Sequence, residues 1–588
     1  MTTAVPACMS LRPVVCLVGH LYRDLGVARA ATGGRFSHLG TTLNLGRRPD
    51  WCANPVTDVE WRIEWVKLFE GMHLAHAYAI SGEHEFLATW EDLVESFCDQ
   101  VPVGNDTSDV SARRVQNWLY AWQAFAAVPG FPGLRQGLAE RLLTRIEADT
   151  CHLADHLTAR RNHRTLELYT LLLVALARGE DGPAHRALRN LADNAATDIW
   201  ADGVHCETST DYHAIVLRSY LGAIANARAV GLPVPPMLLD RVHLASDVAM
   251  HLQRPDGGMP ALSDGDEGDF RALLEDASAV LDRPDLLWAA SGGIRGRAPM
   301  RRLVSFPIGG YYVQRSGWGC GARAYPDERW CVLDCGPLGD GGHGHYDQLS
   351  VVLAANGSPL VVDPGRFTYE PDSMWRRWFK GTSAHNTVCV DGLDQTPFRP
   401  GKPKGPTSSA EFIGRVTTDG LDVIRGRVTS PCYDAVHTRT LAFVDDDYWI
   451  VHDRLQAPTV HAYEARWHLP PAAHGRVDIQ RGGGQTTVRA PGCTLIVPDG
   501  AGRVGLEPGW VAPAYGVKAP APVVVVRAVD STEADLITVV IPSDATASVG
   551  ARVAPDELAV RVTRPECGED RIHWHTGVLL AARNGRPC

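Results

Sequence analysis

Four absences bound what this sequence can be. No stretch reaches the roughly 20 consecutive apolar residues that a bilayer-spanning helix requires, so none is expected. The 14 cysteines are scattered, with no Cys-x-x-Cys pair and no dense, regular spacing. That excludes a disulfide-stapled scaffold and predicts mostly reduced, buried thiols. Positive charge is not in excess, because the formal net charge is −11. The chain as a whole therefore attracts neither nucleic acid nor an anionic membrane, although the local field of a cleft can still hold an acidic ligand. A basic leader is also missing. The apolar stretch Pro13–Leu21 has only Arg12 before it, Tyr22-Arg23-Asp24 after it and no small-x-small cleavage site, which leads us to expect a cytoplasmic protein.

What is present reads as globular. Of 588 residues, 45% are hydrophobic and 21% charged, which suits two or three folded domains rather than disorder. The pattern changes near residue 300. Before it, apolar residues recur at helical spacing: Trp61, Trp65, Phe69, Met72 and Ala75, then Phe86, Trp90, Leu93 and Phe97. Val115, Leu119, Trp122 and Phe125 form a third stripe, and Leu134, Leu138, Leu142 and Ile146 a fourth. Further helices are expected over Leu166–Ala177, His185–Ile199, Tyr212–Val230 and Pro236–Gln253, with no strand signal interrupting the series. Such an array must stack or close on itself to cover its apolar faces. After Arg301 the pattern alternates. Short strands are expected at Tyr311–Arg315, Trp330–Asp334, Leu349–Ala354 and Leu360–Val362, and on through Leu441–Val444, Tyr448–Val451, Thr494–Val497, Pro522–Ala528, Ile537–Ile541 and Leu558–Val562. That spacing implies a β-sandwich or stacked sheets. The reading is thus a helical domain over 1–300, joined near Gly292–Met300 to a β domain over 301–588, with Gly401–Pro406 as a surface loop.

Three groups of residues can carry chemistry. The sharpest is GGHGHYDQ at Gly341–Gln348, followed by Val362-Asp363-Pro364-Gly365 and Ser383-Ala384-His385-Asn386-Thr387. Two imidazoles and a carboxylate, from His345, Asp363 and His385, would suit a borderline cation such as Zn2+. The alternative is a set of polar loop residues that fix turns. The second group is Arg161-Asn162-His163-Arg164, placed just before a helix at Thr165, with Asp202–His213 before another. Asn, His and Tyr together supply what a β-elimination needs: carboxylate neutralisation, a base for a carbon-bound proton, and an acid for the departing oxygen. Each alone is equally readable as a helix cap or packing residue. The third is Arg113-Arg114 with Asn117 and Trp118. Arg114 and Asn117 lie about one turn apart, and Arg is a natural clamp for a uronate carboxylate. Trp51, Trp61, Trp65, Trp118 and Trp122 offer sugar-stacking faces, of which one or two are expected to meet a ligand and the rest to be core.

These segments resemble the heparinase II/III superfamily of polysaccharide lyases. The stretch GGHGHYDQLSVVLAANGSPLVVDPGRFTY followed by SAHNTVCVDG is similar to that family's metal-domain pattern, and NLGRRPDW, RRVQNW, RNHRTLELYTL and DGVHCETSTDYH support it. The resemblance implies an N-terminal incomplete (α/α) toroid followed by an antiparallel β-sandwich. It implies zinc, mainly structural, on His345, Asp363 and His385, and no organic cofactor. Asn162, His163, Tyr212 and His343 match its catalytic positions, and Glu207, Arg114 and Asn117 are substrate-binding candidates. The implied substrate is an anionic poly- or oligosaccharide, cut at a 1,4-linkage next to a uronic acid to leave a 4,5-unsaturated product. Asn162 with a neighbouring His or Arg neutralises the carboxylate. Tyr212, His163 or His343 takes the C5 proton, and Tyr212 protonates O4. Some relatives, the oligoalginate enzymes in particular, place a substrate-binding tyrosine between the last two metal ligands; the nearest here is Tyr369. Two other readings stand beside this one: a metal-dependent glycan hydrolase, and a non-catalytic carbohydrate-binding protein on the same fold.

Overall fold

The computed structural model describes residues 11–400, 405–543, 546–554, 557–565, 567–575 and 581–584. Of the surface loop expected at 401–406, residues 401–404 lie outside these. A helical N-terminal region is followed by antiparallel sheets, as the periodicity implies. Contacts divide the chain into two compact units. The first comprises residues 1–199 and 214–243, and the second residues 200–213 and 244–588. The change from helix to strand and the division into units therefore fall at different places, because a short segment ending at His213 packs with the C-terminal unit.

The first unit is built of amphipathic helices, including His84–Gln100, Ser108–Ala126, Arg161–Arg178 and Asp181–Asp198. The expected stripes face inward: Phe86, Trp90, Leu93 and Phe97 are all buried. Trp51 stacks on Trp65 at 4.4 Å between ring centroids and donates to Ser96 Oγ at 3.0 Å. Trp51, Trp61, Trp65 and Trp118 are core, so none of these four offers a sugar-stacking face. Polar links hold particular helices in register. Gln116 donates to Thr170 Oγ1 at 2.7 Å, and the hydroxyls of Tyr120 and Tyr169 meet at 2.8 Å. Such buried polar groups would each cost about 1–3 kcal/mol if left unpaired, so they specify which helix faces pair. Two features depart from expectation. Arg35–His38 and Thr41–Asn44 form a short antiparallel hairpin inside the helical series. The helix expected from Thr165 begins at Arg161, which places Asn162 and His163 in its first turn.

In the second unit, Leu303–Phe306, Tyr311–Arg315, Trp330–Asp334, Val351–Ala355 and Ser358–Val361 form an antiparallel sheet in chain order. A larger antiparallel sheet is organised on two long strands, Tyr448–His468 and Val517–Ile541, which pair with each other. The strands Ser548–Ala554, Glu557–Arg564, Gly568–His575 and Ala581–Asn584 form a four-stranded sheet. Apolar side chains from all three join one core, among them Leu333, Val351, Ile424, Trp449, Val539 and Trp574. Gly310 turns the first hairpin with φ +83°, and a Cβ there would lie 2.0 Å from the Gly336 Cα. Both the left-handed backbone and the close approach exclude a side chain. Gly310→Ala should therefore destabilise the protein by well over ~1 kcal/mol, whereas Gly292→Ala, at φ +63° with nothing within 4 Å, should cost only about 1 kcal/mol. Thermal or denaturant unfolding of the two variants checks the contrast.

Candidate active site and metal centre

The Gly341–Asp347 loop joins the strands Trp330–Asp334 and Val351–Ala355. It can fold because Gly344 has no side chain; a Cβ there would sit 1.9 Å from the Leu338 carbonyl oxygen. This presses His343 and His345 against Asp264, in the turn between Met259 and Gly268. Asp363 follows the strand Ser358–Val361, and His385 follows the turn Thr382–Ala384. His345, Asp363 and His385 each present a ligand-type atom, all within 4.8 Å of one another, and all three residues are buried. His385 Nδ1 lies 2.9 Å from Asp363 Oδ2, and its Nε2 faces the Phe379 carbonyl oxygen at 3.1 Å.

Asp264 fixes the state of both loop histidines. Burial would raise its carboxyl, but Arg376 and hydrogen bonds from His343 and His345 outweigh that and hold it well below the usual carboxylate range. An ionised carboxylate only accepts hydrogen bonds. His345 Nε2, at 2.9 Å from Asp264 Oδ1, therefore carries a proton. Burial pushes the His345 imidazolium down to about 4, so the ring is neutral at pH 7. Its Nδ1 is then a bare lone pair, buried and with no hydrogen-bond partner among the described residues. An orphaned acceptor beside a carboxylate and a second imidazole fits a zinc-like ion. The outward bonds to Asp264 and the Phe379 carbonyl are the kind that orient metal-ligating histidines.

His343 repeats the pattern on the other carboxylate oxygen. Its Nδ1 lies 3.0 Å from Asp264 Oδ2 and donates to it. In the neutral ring Nε2 is then unprotonated, and at 3.6 Å from Glu207 Oε1 it lies outside hydrogen-bond distance. The Tyr212 ring packs 4.1 Å from the His343 ring between centroids. The hydroxyls of Tyr212 and Tyr369 meet at 2.9 Å. Arg366 donates to the Tyr369 oxygen and is itself held by Asp211 at 2.9 Å and Asp266 at 2.8 Å. Burial raises the Tyr212 phenol above its usual range, with Arg366 and the Tyr369 hydrogen bond pulling the other way. A phenolate at Tyr212 can only accept, so the Tyr369 hydroxyl would donate to it and stabilise it. An imidazole, a phenol with a built-in partner and a buried cluster of ligand-type atoms thus occur together in the second unit.

Two models of one family match the chain: the heparinase II/III N-terminus over residues 35–283, and the heparinase II/III-like C-terminal domain over residues 298–549. The chain belongs to the heparinase II/III family. It is 24% identical over 501 residues to a heparin-sulfate lyase of Pedobacter heparinus, covering 80% of this chain and 72% of that one. A heparin-sulfate lyase of Bacteroides stercoris is 22% identical over 527 residues, covering 82% and 75%. An alginate lyase of Stenotrophomonas maltophilia is 33% identical, but over 152 residues that cover 23% of this chain and 19% of that one. Among solved structures, heparinase III shares the fold with TM-score 0.78 at 16% identity, covering 98% of this chain and 93% of that one. The heparan sulfate lyase of Pedobacter heparinus shares it with TM-score 0.65 at 20% identity, covering 98% and 90%.

Within this heparinase II/III chain, the candidate residues fall into separate groups. His343, His345, Asp363, His385, Tyr212 and Glu207 come together in the second unit. Asn162 and His163 lie in the first, Asn162 buried and His163 with its side chain half exposed, 3.8 Å from Asp109. Two substrate-binding candidates are corrected. Arg114 is 1% exposed, donates to Asp106 Oδ2 at 2.7 Å, and lies 4.3 Å from the Phe97 ring centroid. Asn117 is buried and donates to the Lys67 carbonyl oxygen at 2.8 Å. A guanidinium already paired and covered cannot clamp a sugar carboxylate, and both residues instead fasten helix to loop. Asp264, Arg366 and Arg376 were not legible from sequence, and Tyr369 stood out only as the tyrosine nearest a family position. A hint lay in the acidic turn Ser263-Asp264-Gly265-Asp266. Arg114→Ala, which breaks a buried pair, should lower unfolding stability by about 3 kcal/mol. Any folded fraction should retain its substrate KM, as paired denaturation and steady-state measurements will show.

Proposed function

We propose that the protein is a polysaccharide lyase that cleaves a glycosaminoglycan at a 1,4-linkage next to a uronic acid by β-elimination. The observation that carries this is the pairing of Tyr212 with Tyr369 and Arg366 beside a His343 whose Nε2 is unprotonated when the ring is neutral. Family membership and the heparin-sulfate lyases among the relatives supply the reaction class and the substrate class. Asn162 and His163 are assigned to the uronate carboxylate, whose neutralisation acidifies the C5 proton. Tyr212 as phenolate, or His343 through Nε2, removes that proton according to the epimer. The C5–H electron pair becomes the C4=C5 double bond, the C4–O4 bond breaks, and O4 takes a proton from Tyr212. Tyr369 holds the phenolate by donating to it, and Arg366 polarises Tyr369. Glu207, with Oε1 3.6 Å from His343 Nε2, is assigned to substrate binding.

Incubation with uronate polymers should give products with the ultraviolet absorbance of an unsaturated uronate. New reducing ends without that absorbance would point to hydrolysis instead, and equal turnover by Tyr212→Phe would remove the tyrosine from the mechanism. Tyr369→Phe takes away a hydrogen bond that favours the ionised form of Tyr212. It should shift the acid limb of the kcat profile upward by about one pH unit, since a bond to a charged group is worth about 1.5–3 kcal/mol and one unit about 1.4.

For the metal we propose zinc on His345, Asp363 and His385, held for stability. The burial of all three and the orphaned His345 Nδ1 support this. Bound there, the ion would lock the loop that carries His343. Metal analysis should find about one ion per chain, and chelation or His385→Ala should lower the melting temperature together with activity. Lost turnover at an unchanged melting temperature would instead favour a catalytic ion.

A further inference from the structure

A cavity of about 180 Å³ opens beside His343 and Tyr369, and the elimination chemistry leaves one wall of it unused. That wall carries Arg376, Lys380 and Arg399. Their charges are committed to different degrees. Arg376 is spent on Asp264, with one contact to each carboxylate oxygen. Lys380 is buried and donates to the Gly342 carbonyl oxygen at 2.5 Å. Arg399 is half-buried, and its bond is a long one, 3.4 Å to the Pro406 carbonyl oxygen. Among the described residues, no carboxylate lies within ion-pair distance of Arg399. The one carboxylate in the lining is Asp264, already matched by Arg376. Lys380 and Arg399 therefore leave the cavity with surplus positive charge, in a chain whose net charge is −11.

Arg366, near the same cavity, is held by Asp211 and Asp266, so it has no charge to spare. An arginine left uncommitted on the wall of a cavity calls for an anion from outside. A guanidinium fork matches the paired oxygens of a sulfo or carboxylate group. We propose that this cavity is an anion subsite that takes a sulfo group on the sugar bound next to the scissile bond, with Arg399 as the specificity-determining residue. The inference rests on the lyase reading and narrows it, because it selects a sulfated glycosaminoglycan over the same chain without sulfation.

The experiment compares wild type with Arg399→Ala on heparan sulfate and on the same polymer after chemical desulfation, following the unsaturated product. Inorganic sulfate is added separately as a ligand, read by thermal shift. Wild type should favour the sulfated chain in kcat/KM. Arg399→Ala should collapse that preference about tenfold or more, mainly through KM, as expected for losing a charge-assisted contact. The sulfate-induced thermal shift should shrink in the variant. Equal losses on both polymers, or no loss on either, would overturn the proposal. A sulfate shift that depends on Arg399 while polymer preference stays unchanged would also overturn it, leaving a site for free anions only. If wild type forms no unsaturated product from either polymer, the lyase reading fails. The thermal-shift arm then still decides whether the cavity binds an anion through Arg399.

Discussion

The site depends on the carboxylate of Asp264. It is fully buried, yet it stays ionised because its two oxygens receive His343 Nδ1, His345 Nε2 and the Arg376 guanidinium. Its main chain is engaged as well: the amide donates to the His343 carbonyl oxygen at 3.1 Å, and its carbonyl accepts from Ser209 Oγ at 2.9 Å. One residue thus ties the Trp200–His213 segment, the glycine-rich loop and the helix Met374–Lys380 to one another. Burying a charge is costly unless every lone pair is met. The arrangement is therefore stable only when all of its donors are present, which makes it a device for geometry more than for stability.

That carboxylate also orients both histidines of one short motif. His343 and His345 both direct a ring nitrogen at Asp264, which turns the other nitrogen of each away from it. One of them is sealed among Asp363 and His385, while the other ring, 19% exposed, borders the cavity. Sequence spacing shows that the two histidines differ by two positions. It does not show that a shared acceptor orients both rings, or that burial then separates them.

Legibility in the sequence followed the range of the interaction. Helical stripes such as Phe86–Phe97 were readable because their period is local, and strands such as Tyr311–Arg315 and Trp330–Asp334 match the structure residue for residue. The hairpin at Arg35–Asn44 was missed because strands of four residues with mixed polarity carry no period. His345, Asp363 and His385 were legible as residue types suited to one ion. Asp264 was not, since its partners lie 79 to 112 positions away and an aspartate in a glycine turn looks like a turn residue. Arg114 was misread for the converse reason. Its partner Asp106 is only eight residues earlier, but the pair is hidden by burial that no spacing reveals.

The allegiance of Trp200–His213 has a further consequence. This segment lies in the middle of the helical series by chain order, yet it packs with the β-rich unit and delivers Tyr212 into that unit's hydrogen bonds. Covalent order and structural membership are therefore out of step. A chimera made by exchanging everything before residue 300 between two relatives would carry the tyrosine away with the helices and leave its phenolic partner behind. The halves of this architecture are not freely interchangeable modules. Tyr212 and Tyr369 must be inherited together, though 157 positions separate them.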